Sequence, residues 1–416
     1  MNAQRLIAAG TGLALAMLTT TAAAAPFGTF DPRSQAMGGA GVAAGNSGNA
    51  GFFNPALLGV ARDGDRFSVE FPIASVRLSD RDNFRDDLDD IQDEERIENF
   101  EAALGAYATA CSPFPATCDG SEQEAQDLVN TGNALRGSMQ NIDDSLIEGE
   151  AFAGTVIGVP GERFAMSVHA SARVVAGGIL DITEEDLNNI LAVTDAAQDG
   201  DSVNPDTVDE LTSRARILGA GIQEVGVSIG RNFGQFSLGV TPKVQKIETF
   251  DFNERIEDAE TEDFDERTTD QTRINVDIGA VYDITPALRT GLVAKNVFSR
   301  TVRTVDDNPI DLDPQLRAGI AWAPNGSVTV AADLDLLEND PIGQEDATRI
   351  LGFGAEYNLG GNVQVRGGYR TNLSETGQDM FTAGLGFSPF GMHIDLAAMY
   401  RDSDDLGAGA QFGFRF

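Results

Sequence analysis

Gly39-x-Gly41-x-x-Ala44 has the spacing of a dinucleotide-binding turn, in which glycines bring the backbone close to a pyrophosphate at a helix N-terminus. That chemistry needs a strand before the turn and a helix after it. Here DPRSQAM precedes the motif, GNSGNAGFF follows it, and no further βαβ units come later, which excludes nucleotide binding. Cys111 and Cys118 are the second reactive set. In an exported chain they form a small disulfide loop. Metal binding is the lesser alternative, because two cysteines without a nearby histidine make a poor zinc set. His169 and His393 are the only histidines, and no paired nucleophile and base stands out, so neither catalysis nor a cofactor is expected. The carboxylates are many but lack the Asp-x-Asp-x-Asp-Gly loop with a distal Glu that holds calcium, so no specific metal site is expected. With 65 acidic against 29 basic residues and a net charge of −36, the chain is also a poor nucleic-acid partner.

The elements that hold these residues begin with an export signal. Arg5 forms a positive start, Ile7 to Leu18 an apolar run, and Ala22–Ala25 a small-residue cleavage region, so residues 1–24 read as a signal peptide. No later stretch is long and apolar enough for a membrane helix. The rest reads instead as strands. In LGAGAQFGFRF, Leu406, Ala408, Ala410, Phe412, Phe414 and Phe416 share one face, opposite Gly407, Gly409, Gln411, Gly413 and Arg415. The same alternation recurs upstream at 391–401, 379–388, 362–371, 348–358, 327–337 and 315–323, and less regularly at 287–300, 272–282, 235–248, 217–230, 162–176, 151–159 and 66–78. That makes fourteen strands, the even number a single-chain barrel requires.

Short turns such as Pro160-Gly161, Gly360-Gly361 and Phe390-Gly391 alternate with long connections at 79–150, 177–216, 249–271, 301–314, 338–347, 372–378 and 402–405. This ordering predicts periplasmic turns, external loops and both termini in the periplasm. The fold expected is all-β: a 14-stranded antiparallel transmembrane barrel over 66–416, in the outer membrane of a Gram-negative bacterium. Its polar face would line the lumen with a mixed-charge ladder of Lys243, Asp277, Arg289, Arg317, Asp333, Asp335, Glu356, Arg366, Arg370 and Asp395. Arg317 is expected opposite Asp333 and Asp335, and Glu356 opposite Arg366 and Arg370. Fourteen strands enclose more space than side chains alone fill. The segment 25–65 is therefore expected inside as a hatch, its small residues Gly38, Gly39 and Gly41 allowing close packing, Phe53 anchoring it, and Asn54-Pro55-Ala56 turning the chain.

The insertions 79–150 and 177–216 have helical spacing at 84–110, 121–148 and 182–198, with Thr183 as an N-cap and the cysteine pair stapling the tip. These helices are expected to pack together over the barrel mouth. Asp80–Glu101 holds 11 acidic and three basic residues, read as a solvated face with loose divalent-cation binding to lipopolysaccharide as an alternative.

The order of Met37-Gly38-Gly39-Ala40-Gly41-Val42-Ala43, then small polar residues, then Phe53-Asn54-Pro55-Ala56-Leu57-Leu58 and a first strand resembles the FadL-like fatty-acid-transporter barrels. It more closely resembles the TraF-type family named after the plasmid conjugal-transfer operon, which shares the GGAGVA and NPALL motifs and the acidic helical segment after the first strand. The resemblance implies a plugged fourteen-stranded barrel, and Phe416 resembles the end signal read by the outer-membrane assembly machinery. The function expected is a plugged channel for small apolar solutes or an envelope-transfer component, with membrane lipids, lipopolysaccharide, the assembly machinery and hydrophobic small molecules as partners. The alternative is a non-transporting scaffold whose acidic cap binds a partner.

Overall fold

The computed structural model describes residues 28–60, 67–80, 83–113, 116–118, 121–161, 164–255, 268–339, 347–374 and 378–415. The signal peptide, Phe416 and the ends of the 25–65 segment lie outside the described residues. Fourteen strands form one closed antiparallel barrel: β1 Ser68–Asp80, β2 Leu146–Val159, β3 Ala165–Asp181, β4 Arg214–Asn232, β5 Phe236–Arg255, β6 Thr268–Thr285, β7 Leu288–Lys295, β8 Gln315–Asn325, β9 Val328–Asp335, β10 Ile350–Leu359, β11 Val363–Asn372, β12 Met380–Phe387, β13 Met392–Asp402 and β14 Asp405–Arg415. Each pairs with its sequence neighbours, and β1 closes the ring against β14. The short connections at one end use glycines with positive φ, as at Gly234, Gly360, Gly361 and Gly391. The strand expected over 287–300 stops at Lys295. Arg300–Arg303 instead begins a separate hairpin with Pro309–Leu312.

Alternation divides the wall into two faces. Outward residues such as Ile157, Val225, Ile274, Ile320, Trp322, Phe353, Phe381, Leu396 and Tyr400 are exposed and form an apolar belt around the barrel. No soluble surface of this kind is stable in water, but it suits a hydrocarbon layer. Inward residues are mainly polar or small and are mostly buried, with apolar ones such as Ile73, Phe152, Val156 and Val293 among them.

The barrel is lopsided. β3 to β6 have 17, 19, 20 and 18 residues, whereas β7 and β9 have 8 each. A membrane crossing takes roughly 9–11 tilted residues, so the tall side rises well beyond the belt. Both faces of this extension are covered. The helices α2 Phe84–Asp93, α3 Arg96–Ala110, α4 Glu122–Ile142 and α5 Glu184–Asp199 pack on its outward residues, among them Ile147, Ala176, Leu180, Ile217, Phe250 and Phe252. The 300–312 hairpin packs on its inward residues Val175, Ala220, Ile222 and Ile247 through Val302, Ile310 and Leu312. The hairpin therefore occupies the mouth, and the helical cap sits against the outer wall rather than over the opening. The cause is in the strand pattern: above the belt the outward positions remain apolar and need a partner other than lipid.

The cap itself follows its sequence spacing. Leu128, Leu135, Met139 and Ile142 of α4 meet Ile97, Phe100, Leu104 and Tyr107 of α3. Gly132 admits Phe100 and Thr194 where a Cβ would collide. The expected helix over 84–110 is two helices, because Glu95 adopts a left-handed conformation (φ 46°) and ends the first. Thr183 caps α5, its hydroxyl accepting from the Asp186 N–H at 3.2 Å. Asp186 in turn accepts from the N–H and hydroxyl groups of both Thr212 and Ser213, tying α5 to the foot of β4. The Cys111–Cys118 disulfide joins the end of α3 to the start of α4. Partial burial, then the neighbouring Asp90, Asp86 and Asp80 charges, hold the Asp87 carboxyl above its ordinary range.

Candidate functional site

The lumen is the one place where polar side chains from many strands converge, and residues 28–60 run through it. Asp31-Pro32 starts a short helix, α1 Pro32–Gln35: the Asp31 carboxylate accepts from the Ser34 N–H at 3.0 Å, and proline suits the first helical position. The helix ends in Gly38 and Gly39, both with positive φ (67° and 87°). Farther on, Asn54 caps a 3-10 turn, Pro55–Gly59. Its Oδ1 accepts from the Ala56 N–H at 3.1 Å, and its Nδ2 donates to the Val42 carbonyl at 2.9 Å. The Asn-Pro-Ala motif thus folds the segment back on itself as well as turning it. Phe53 packs with Val42 and Val293, and Phe52 with Ile73, Phe152 and Val156.

The wall grips this segment by polar contacts at several separate places. Asp333 Oδ2 accepts from the N–H groups of Gly41 and Val42, both at 2.8 Å. Glu356 takes a two-pronged contact from Arg33 (2.8 and 3.0 Å), and Arg33 also donates to the Ala44 carbonyl at 2.5 Å. The Gly38 N–H donates to Thr382 Oγ1 at 2.9 Å. Lys295 Nζ donates to the Phe52 carbonyl at 2.5 Å. Asn49 and Gln411 exchange amide hydrogen bonds at 3.1 and 3.2 Å. The charge-assisted bonds among these, at Asp333, Glu356 and Lys295, are each worth about 1.5–3 kcal/mol.

Glycines give the segment room. A Cβ on Gly352, Gly354 or Gly368 would overlap the backbone of Met37 and Gly38; one on Gly384 would meet Ala36; one on Gly239 would meet Pro55 and Ala56.

The expected ladder divides by partner. Arg317 makes a two-pronged pair with Asp335 at 2.6 and 2.9 Å, while Asp333 serves the inner segment instead. Arg366 bridges Glu356 (2.8 Å) and Asp395 (2.5 Å). Lys243 sits between Asp277 and Glu224, 2.9 Å from each. Arg289 pairs with Asp283 at 2.6 Å near the short-turn end. The expected pairing of Glu356 with Arg370 does not form, because the register sets Glu356 opposite Arg366 and Arg370 four residues farther along, opposite Gly352. Among the described residues Arg370 makes no hydrogen bond or ion pair. His393 and His169 are each buried against a carboxylate, Glu70 at 2.5 Å and Glu224 at 3.0 Å.

Several of these residues had no clear sequence signal. Glu70 and Arg77 face inward on the same strand, yet an even and an odd number share that face because β1 bulges between Glu70 and Ile73. Pro72 within the strand was the available clue. Arg33 lies within the expected hatch, where Asp31-Pro32 carries a helix-start pattern but nothing marks the arginine itself as a contact to the wall.

Space remains on the long-loop side of the segment. A cavity of about 110 Å³ is bounded by Thr29 and Phe30 below and by Arg77, Glu150, Arg173 and Arg370 on the wall. A second, of about 60 Å³, shares Gly28, Phe30 and Arg173 with it and extends toward Lys243 and Lys295. Phe30 forms the common wall: its ring stacks on Phe152 at 4.1 Å, and the Arg173 guanidinium lies 4.8 Å from its centroid.

Comparison with known proteins agrees with this architecture. The fold is similar to that of the Ralstonia pickettii toluene transporter TbuX, with 14% identity, 93% of this chain and 98% of that chain covered, and a TM-score of 0.52. It is similar to the monoaromatic hydrocarbon channel CymD (14% identity, 94% and 99% covered, TM-score 0.50) and to a Pseudomonas aeruginosa FadL homologue (11% identity, 94% and 98% covered, TM-score 0.50). No curated protein matches by sequence. The family model described as F plasmid transfer operon, TraF, protein matches residues 51–335, more than half of the chain, and the protein therefore belongs to that TraF family.

Proposed function

We propose that the protein is an outer-membrane channel for small solutes whose lumen is held shut by the 28–60 segment acting as a hatch. The observation that carries this reading is the inner segment itself: a buried stretch of chain inside a closed barrel with an apolar outer belt, held by hydrogen bonds and ion pairs that can exchange for water. Barrels of similar fold described as toluene and monoaromatic hydrocarbon channels support a small, single-ring solute class. The charged cavity wall favours a solute that carries a polar group as well as an apolar one. On this reading residues 1–24 direct export, Phe416 serves barrel assembly, and the acidic cap faces outward toward lipopolysaccharide.

The test is solute flux into liposomes carrying the full barrel or a form lacking residues 27–60. A heat-modifiable barrel that conducts only after the deletion supports the hatch. Absence of flux in both forms would instead favour a non-transporting scaffold or envelope-transfer component, acting through its acidic cap.

A further inference from the structure

We propose that the larger cavity is a binding site for a compact aromatic carboxylate, with the anionic group on Arg370 and the ring against Phe30. The inference deepens the channel reading and rests on it. Three guanidiniums reach the cavity, and two are already engaged. Arg77 holds Asp405 through two contacts, at 2.6 and 2.9 Å. Arg173 holds Glu150 at 2.7 Å. Arg370 projects inward from β11 beside the same space and has no such partner among the described residues. Glu148 also lines the cavity and has an interaction of its own within the chain. One cation is therefore left for a ligand, and a guanidinium fork fits a carboxylate with two parallel hydrogen bonds.

The opposite side of the cavity selects a ring. Phe30 lies flat on Phe152 beneath Arg173, and Val175, Met380 and Met399 complete an apolar, polarizable surface. Size excludes long chains. A cavity of about 150 Å³ accommodates benzene. The 110 Å³ here, with the 60 Å³ pocket on the far side of Phe30, suits one ring after a small side-chain adjustment.

Calorimetry on the full-length protein in detergent, with benzoate as probe and toluene and dodecanoate as comparisons, tests the site. Benzoate is expected to bind the wild-type protein, with affinity reduced about tenfold or more in Arg370→Gln and partly restored in Arg370→Lys. Toluene binding is expected to be unaffected by either change. Heat-modifiable mobility reports that each variant keeps its barrel. Equal benzoate affinity in wild type and Arg370→Gln, or no benzoate binding to the wild type, overturns the proposal. So does dodecanoate binding that depends on Arg370 while benzoate binding does not. None of these measurements requires flux. A barrel that conducts after removal of residues 27–60 but ignores benzoate refutes only the ligand site; Arg370-dependent binding without any flux refutes only the channel.

Discussion

Replacing Asp333 should loosen the inner segment without opening the barrel. Among the described residues its Oδ2 is the sole acceptor for the Gly41 and Val42 N–H groups, and the residue is 3% exposed. In Asp333→Ala both donors lose their partner, and each unsatisfied buried group costs about 1–3 kcal/mol. Taking the lower end for both gives about 2 kcal/mol, a roughly 30-fold larger opening equilibrium for this part of the segment. Asp333→Asn keeps an oxygen in place but removes the charge, and about tenfold is expected there. Global melting is the wrong readout, because removing a carboxylate from a buried site also relieves its desolvation cost. Amide hydrogen exchange over residues 38–44 isolates the local effect. The order wild type, Asn, Ala in increasing exchange rate is expected, with exchange in β9 unchanged. If all three proteins exchange alike across 38–44 while remaining heat-modifiable, Asp333 is not a latch and the segment is held by packing alone.

Other positions probe other parts of the design. Gly368→Leu should prevent the Met37–Gly38 turn from seating; a cysteine at Ser34, fully buried in the native arrangement, should then become reactive to a thiol reagent that leaves it untouched in the parent. Changing both Cys111 and Cys118 to serine should cost the cap about 2–3 kcal/mol by freeing a short loop, seen as faster protease cleavage of α3 and α4 with the barrel band intact. Asp186→Ala removes four donors' acceptor at the foot of α5 and should destabilise the cap by about 3 kcal/mol, measured as accelerated exchange in 184–199.

The strands and their number were readable because a two-sided wall imposes period-2 alternation, and lipid and lumen select opposite polarities. β14 shows it plainly: Leu406 is exposed, and Gln411, on the other face, is 2% exposed. What alternation alone could not supply was partnership. Asp333 and Asp335 occupy equivalent inward positions on one strand, yet one binds the segment and the other binds Arg317. The choice depends on where a separate piece of chain passes. The position of the cap was equally indirect. Phe250 and Phe252 continue the outward apolar pattern of β5, and nothing local says whether lipid or helix covers them. Only the strand's length of 20 residues, about twice a membrane crossing, makes lipid insufficient.

Glycine resolves part of that ambiguity. A lumen wall needs polar residues, but it needs glycine only where something presses against the backbone. The inward glycines are not spread evenly. Gly352, Gly354, Gly368 and Gly384 lie under Ala36–Gly38, Gly291 and Gly319 under Val42, and Gly239 and Gly279 under Asn54-Pro55. Gly386 and Gly413 instead make room for Arg366 with Asp395 and for Glu70 with His393. Taken in strand order, the first group traces the route of the inner segment around the wall from β12 to β5. The imprint covers the stretch from Ala36 to Pro55 and thins toward Thr29 and Phe30, where the wall presents Arg77, Arg173 and Arg370 instead of glycine. The segment is therefore moulded to the barrel along its middle and borders open, charged space at its N-terminal end. If the segment acts as a hatch, its movement should begin at that end, with Phe30 leaving Phe152 before Gly41 and Val42 leave Asp333.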